Sequence, residues 1–398
     1  MSTVVGQGTT FNLPNYHGEL FVVTPTETPF LSAIGGLGGA KKTTATTFEW
    51  QTVDRRTSSA NNVVVEGANA PTGAERARGV VDNVVEVHHS AIEVSYTRLA
   101  ATGNFGGANI AAQSDDAVLD ELTVQTMAEL EAMAVDVEKS FLTGIYQKPS
   151  DNTTARQTRG ILSALATNVT TGSPSIGSAT VVASTGVFTA TGTTGLTVNQ
   201  AVYVDTIVST TGITAGTRYF VKTTPSGTTF TLSATPGGAA LTLTTDGSVG
   251  NVYPAIAISR DSVNAGIQAV FDNGGKLPQD QTVLMVGSGQ KVKLSNAYQA
   301  SGLNWPTPSR NVGGVAVDTL VTDFGTFGVM LNRWMPAGQI GILDLSVCSP
   351  VFLEIPDKGL LFVEELARVG AARKFQLYGE IGLEYGPETY HGLINHLA

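Results

Sequence analysis

Residues 114–143, SDDAVLDELTVQTMAELEAMAVDVEKSFLT, form the clearest helical pattern in the chain. Leu119, Leu122, Leu130, Met133, Val137 and Phe141 recur at steps of three and four residues, or multiples of them, which puts them on one helix face. Ser114 suits the N-cap, Asp115 and Asp116 suit the positive first turn, and Gly144 suits the C-terminal position. At 1.5 Å per residue the rod would span roughly 45 Å. It carries a single apolar stripe and so needs a body to lie against.

The composition changes sharply downstream of this helix. Between Ile161 and Gly250 the charges are Asp205, Arg218, Lys222 and Asp246, in a background of Thr, Gly, Ser and Val. Short strand-like runs such as Val202–Val204, Arg218–Val221 and Thr229–Leu232 alternate with turns such as Pro225-Ser226-Gly227 and Pro236-Gly237-Gly238. That spacing predicts a small all-β sandwich or barrel, with Tyr203, Tyr219, Phe220 and Phe230 as core material. After Pro254 a mixed pattern returns. Helices are expected over 260–273 and 291–299, a strand over 282–286, and a hairpin of 315–322 with 326–331 around Asp323-Phe324-Gly325. Strands are expected again over 351–355, 360–363 and 374–385.

Upstream, Thr46–Gln51 and Val80–Tyr96 read as strands flanking about 26 polar, Gly-containing residues. A two-stranded ribbon of this length is marginal alone. Residues 1–44 read as an extended arm with apolar knots at Leu20–Val23 and Pro29–Leu31. By itself such an arm cannot bury Phe21 or Phe30, which places both on another surface.

The chain of 398 residues predicts two or three domains and is long enough to bury a core without staples. Its single cysteine, Cys348, excludes an internal disulfide framework and cluster-type metal sites. Charged residues are 14% of the chain, against about 25% in an average domain. The balance of 23 basic and 33 acidic residues gives a net charge of −10, unfavourable for non-specific DNA binding. No apolar run reaches the roughly 18 residues of a membrane span, and the first residues lack a signal-peptide pattern. A soluble protein made in the cytoplasm is expected.

Motifs that suggest chemistry fail on context. Gly287-Ser288-Gly289-Gln290-Lys291 lies between a strand and a helix, but lacks the third glycine of a dinucleotide turn and the Gly-Lys-Ser/Thr ending of a P-loop. Asp323-Phe324-Gly325 matches a kinase tripeptide without its companion motifs and reads as a turn. His88 and His89 on a strand point to opposite faces. His17, His391 and His396 are scattered, and Cys348 has no histidine signature beside it. No catalytic residue, cofactor site or metal site is expected.

The order of elements resembles the HK-97-type major capsid proteins of tailed phages. The passages that carry the resemblance begin with Thr28-Pro-Phe-Leu-Ser-Ala-Ile-Gly35, Phe48-Glu-Trp-Gln-Thr52 and Val137-Glu-Lys-Ser-Phe-Leu142. Thr158-Arg-Gly-Ile-Leu162, Val321-Thr-Asp-Phe-Gly-Thr326 and Leu331-Asn-Arg-Trp-Met-Pro336 follow. The ending is Tyr378-Gly-Glu-Ile-Gly-Leu-Glu384 with His391-Gly-Leu-Ile394. The resemblance covers nearly everything outside about 163–253. It implies an α+β HK-97-like capsid fold with an all-β insertion domain: N-terminal arm 1–44, E-loop 45–98 and peripheral domain 99–162 with its spine helix 114–143. The insertion would be 163–253, the axial domain 254–345, and the return to the peripheral domain 346–398.

The function it implies is a major capsid protein whose copies form hexamers and pentamers, closing an icosahedral or prolate shell around phage double-stranded DNA. Expected partners are other copies of the chain, a separate scaffold, a portal and decoration proteins, with no membrane. Phe21 and Phe30 would contact neighbouring copies. Arg55, Arg56, Arg76 and Arg78 would meet Asp115, Asp116, Asp120 or Glu121 across the interface. Exposed pairs contribute about 0–1 kcal/mol each, so these would set register more than strength. Lys–Asn cross-links occur in some relatives, and Lys41 or Lys42 are conceivable donors that nothing singles out. A tail-tube or fibre protein, and a nucleotide-binding enzyme using the Gly287 turn, are the competing readings.

Overall fold

The computed structural model describes residues 25–38, 41–53, 63–70, 72–73, 75–97, 121–151, 153–300, 310–312, 315–367 and 370–398. It opens with helix α1 (Pro29–Ala33) and strand β1 (Lys41–Thr43). Next come β2 (Thr47–Val53) and β3 (Arg78–Val84), paired as a two-stranded ribbon from Thr47↔Val84 to Val53↔Arg78. After a break at Val85 the chain continues as β4 (Glu86–Ser95). The long helix follows as α2 (Glu121–Thr143), 23 residues or about 34 Å. Residues 114–120 of the expected helix lie outside the described residues.

Short helix α3 (Ile161–Ala164) and strand β5 (Val169–Thr171) lead into six strands: β6 (Ser178–Val182), β7 (Val187–Ala190), β8 (Ala201–Val204), β9 (Arg218–Thr223), β10 (Thr229–Ser233) and β11 (Gly247–Pro254). These close into a barrel in the order β10-β7-β6-β11-β8-β9. Its interior is apolar, with Phe188 and Phe230 stacked at 5.3 Å among Val202, Val221 and Leu232. Burying a side chain of this size contributes about 1.5–3 kcal/mol, so this stretch is folded on a core of its own.

The chain then forms α4 (Arg260–Asp272), β12 (Thr282–Val286), α5 (Ser288–Ala300), β13 (Arg310–Val312), β14 (Val315–Thr322), β15 (Gly325–Leu331) and β16 (Ile340–Asp344). It ends with β17 (Ser349–Leu353), β18 (Leu361–Glu365), β19 (Ala372–Glu384) and β20 (Gly392–Asn395). A seven-stranded sheet runs β13-β14-β15-β12-β16-β20-β5. Strand β12 shows how it sits: Val283 and Met285 enter one core, Leu284 and Val286 the other. Period-two alternation with both faces covered makes every residue of β12 buried.

On one side lie α4 and α5, through Val263, Ile267, Val270 and Leu294. On the other lie α1, α2 and the second sheet, β1-β17-β19-β18 with β4 paired to β19 over ten positions. Helix α2 buries Met133, Val137 and Phe141, whereas Leu130 and Met127 nearer its start are exposed. Of the expected stripe, Met133, Val137 and Phe141 thus face the core and Leu130 does not.

Two segments depart from the expected division. β5 belongs to the seven-stranded sheet and not to the barrel, which spans 178–254. The last 53 residues, expected in one region, divide: β17–β19 join the second sheet, but β20 pairs with β16 in the first. Strand pairing over such separations leaves no local signal.

The barrel is docked on the body. The Tyr203 hydroxyl donates to the carbonyls of Leu397 (2.9 Å) and Ala337 (3.3 Å). Gly338 has φ +80°, and a Cβ there would overlap that hydroxyl, so only glycine fits. The His396 ring stacks on Tyr253 at 4.3 Å, and burial lowers its pKa to about 4 against the opposing effect of Asp205.

Candidate functional site: surfaces open to other copies

The ribbon carries apolar groups that the described residues leave uncovered. Val53 and Val80 are each 57% exposed, and Val63, Val64 and Val65 are 74–86% exposed. Arg76 is exposed, and Arg78 donates to the Gln51 side chain across the ribbon at 3.2 Å. At its base the ribbon is fixed firmly. Trp50 donates to the Gly386 carbonyl (3.0 Å) and meets the Tyr385 ring edge-on at 5.0 Å. Phe48 lies over Gly382, where a Cβ would come within 2.7 Å of its ring.

The second feature is the anchor of the N-terminal segment. Glu138, fully buried on α2, accepts the backbone N–H groups of Phe30 (3.0 Å) and Leu31 (2.7 Å) and the Asn332 amide (2.6 Å). Burial pushes its pKa up, and these three hydrogen bonds pull the other way. Outside this node, Arg333 holds Glu27 through two bonds of 3.0 and 3.2 Å and keeps its carboxyl below the usual range. Trp334 donates to the Glu27 carbonyl at 3.0 Å, and Lys139 sits 4.4 Å over the Trp334 ring.

Phe30 corrects the sequence reading. It was expected to need a neighbouring copy, yet it is 0% exposed, packed with Val137, Phe141 and Phe352 of its own chain. The covering surface comes from more than 100 residues downstream, so the local arm sequence could not reveal it. Phe21, Arg55, Arg56, Asp115, Asp116 and Asp120 lie outside the described residues, and Glu121 is the first residue of α2. Of the four ribbon arginines, Arg76 and Arg78 are described, and neither has an acidic partner among the described residues. Lys41 and Lys42 pair with Glu384 and Glu354, each at 2.8 Å.

The motifs with apparent chemistry are structural. The Gly287 turn ends β12 and opens α5, with the Gly287 carbonyl accepting the helical N–H of Lys291. Asp323 lies in a hairpin turn and meets Arg260 and Asn264, both at 3.5 Å. His88 bonds Glu86, and His89 bonds Gln376 on the opposite face of β4. Cys348 is buried, which pushes its thiol pKa far up. His391 is held neutral in the core: Nδ1 accepts the Asp344 N–H (3.1 Å), and Nε2 donates to the Tyr385 carbonyl (2.7 Å). A cleft of about 400 Å³ beside the ribbon base is lined by Thr46, Val87, Pro149, Asp151 and Arg156, and its lining includes no histidine or cysteine. Among the described residues no helix is long and apolar enough to cross a membrane, and no cluster of three His, Cys, Asp or Glu could hold a metal.

Glu138, Asn332 and Asn83 are the polar groups that sequence reasoning missed. One signal was present: Glu138 lies four residues before Leu142, inside the apolar arc of α2, where an unpaired carboxylate would be costly.

The fold as a whole is shared with solved virus-shell proteins. The capsid protein of cyanophage A-1(L) superposes with a TM-score of 0.55 at 12% identity, covering 98% of this chain and 98% of that one. The capsid protein of a native GTA particle gives 0.52 at 14% identity, covering 100% and 99%. The fold is that of the HK97-like capsid proteins. No curated protein matches the chain by sequence. The SU10 major capsid protein family matches residues 3–398, and the chain belongs to that family. Its work is to form the shell of a phage virion, by assembling with copies of itself.

Proposed function

We propose that the shell is built from hexamers and pentamers of this chain, closed as an icosahedral or prolate head around double-stranded DNA. In this reading residues 1–44 are the arm and 45–98 the E-loop. Residues 99–162 and most of 346–398 form the peripheral domain, and 254–345 with β20 the axial domain. The barrel is an insertion into that plan. The role is architectural and not catalytic. A scaffold, a portal and decoration proteins act as separate partners, and the subunit is made in the host cytoplasm before assembly. A net charge of −10 favours weak repulsion of the packaged phosphate backbone.

The observation that carries the reading is the ribbon, whose Val63–Val65 stretch finds no cover among the described residues. Heterologous contacts of this kind, one patch meeting a different one on the next copy, close into rings and lattices. Deleting residues 56–78 is expected to leave a folded subunit that sediments as a monomer where the parent forms shells under the electron microscope. Closed shells from the deletion would overturn the ribbon's role.

A further inference from the structure

The ribbon meets the body at the break between β3 and β4, and one loop faces that break from end to end. The loop runs from Gly144 to Gly160 and is closed by Gly160 N–H to the Gly144 carbonyl (2.9 Å). Gln147 and Gln157 exchange both backbone bonds at 3.0 Å within it. Two tiers of contact join it to the ribbon base.

The inner tier is buried. Asn83, 0% exposed, accepts the Arg159 N–H (2.8 Å) and donates to the carbonyls of Arg159 (3.2 Å) and Leu383 (2.7 Å). Glu86 accepts the Thr158 N–H at 3.0 Å. These bonds satisfy buried backbone groups and belong to the fold itself.

The outer tier starts from the half-exposed side chains of Asp82, Tyr146 and Arg159 and runs inward to the buried Tyr385. Asp82 on β3 accepts the Tyr146 hydroxyl at 2.5 Å and faces the Lys148 ammonium at 3.6 Å. The Arg159 guanidinium lies 4.3 Å under the Tyr146 ring and donates to the Tyr385 hydroxyl at 3.2 Å. Tyr385 in turn meets Trp50 on β2. Asp82, Tyr146, Arg159, Tyr385 and Trp50 thus make one continuous line of contact that grips both strands of the ribbon.

We propose that the outer tier, Tyr146 on Asp82 above all, sets the angle at which the ribbon leaves the body, and that Asp82 and Tyr146 are positioning residues for assembly. This rests on the reading that the ribbon reaches a neighbouring copy. Leverage gives the contact its effect. Seven strand residues extend about 23 Å, so a rotation of roughly 10° at the base moves the strand ends by about 4 Å. That approaches the roughly 4.7 Å spacing between strands, enough to spoil a registered contact. Because Asp82 and Tyr146 are half-exposed, removing the bond between them leaves the buried tier and the core in place.

The test is Tyr146→Phe, which keeps the ring over Arg159 and removes the hydroxyl, alongside Asp82→Asn. Spin labels at V64C and E354C in the unassembled subunit report the ribbon angle directly. In both variants the distance distribution is expected to widen by about 4 Å, with the melting temperature unchanged. Shells of Tyr146→Phe should lose their uniform diameter in electron micrographs, and the double variant should behave like either single one. Parent-like distance distributions and uniform shells would overturn the inference. If the 56–78 deletion still forms closed shells, the ribbon reading itself fails. If the deletion blocks assembly while Tyr146→Phe is indistinguishable from the parent, the angle-setting role alone fails.

Discussion

Replacing Glu138 by alanine should loosen the start of the chain from the body. The substitution strands three donors in the core: the N–H groups of Phe30 and Leu31 and the Asn332 amide. A buried donor without a partner costs about 1–3 kcal/mol. Relief of the carboxylate's own desolvation offsets part of that total. Breaking a buried charged network by removing one member typically costs about 3–5 kcal/mol, the range expected for Glu138→Ala. Glu138→Gln keeps one acceptor but turns an NH2 group toward a donor, so about half that loss is expected. Urea unfolding of the unassembled subunit measures both, and limited proteolysis ahead of Thr28 reports release of α1.

The pH dependence gives a second handle. Burial raises the Glu138 pKa in the folded chain, so just above the ordinary glutamate value the native form keeps a proton that the unfolded form has lost. Stability contributed by this site therefore falls as pH rises through that window, and the slope should vanish in Glu138→Gln. A Glu138→Ala variant within about 1 kcal/mol of the parent would refute the reasoning.

Two other substitutions follow from the same kind of arithmetic. His391 is buried neutral with a lowered pKa, so below about pH 6.5 the unfolded chain takes up a proton that the native chain refuses. Stability should fall with acid by up to about 1.4 kcal/mol per pH unit there, and a His391→Gln variant with the same slope would count against it. Gly338→Ala forces a side chain into both a left-handed backbone and the Tyr203 hydroxyl, with an expected cost above about 2 kcal/mol. Hydrogen exchange should quicken over residues 394–397 while the Phe188–Phe230 core of the barrel stays protected, and unchanged protection at 394–397 would contradict the dock.

Much of the fold was legible because its signals are local. The strand at 282–286 follows from a short apolar run, and the hairpin turning at Asp323 from strand-like runs on either side of Asp323-Phe324-Gly325, where Gly325 takes φ +128°. Three barrel strands, β8, β9 and β10, were visible as short runs between turns, but the strand order was not, since closure depends on pairings such as β10 with β7 across 40 residues. Phe30 was misplaced for the same reason: its cover and its hydrogen-bond acceptor, Glu138, lie over 100 positions away. The acid in the apolar arc of α2 was the one missed clue that the sequence did contain. The arginines of the ribbon could be named from the sequence, and within the chain Arg78 meets the Gln51 side chain.

The chain enters and leaves the barrel at one point. Ile176 N–H bonds the Val252 carbonyl, and Val252 N–H bonds the Gly177 carbonyl, so the incoming and outgoing threads are zipped side by side. A cassette mounted this way can be shortened, exchanged or extended at its far turns without changing the spacing of the two threads it hangs from. Foreign peptides spliced at those turns would be carried by every subunit of a particle.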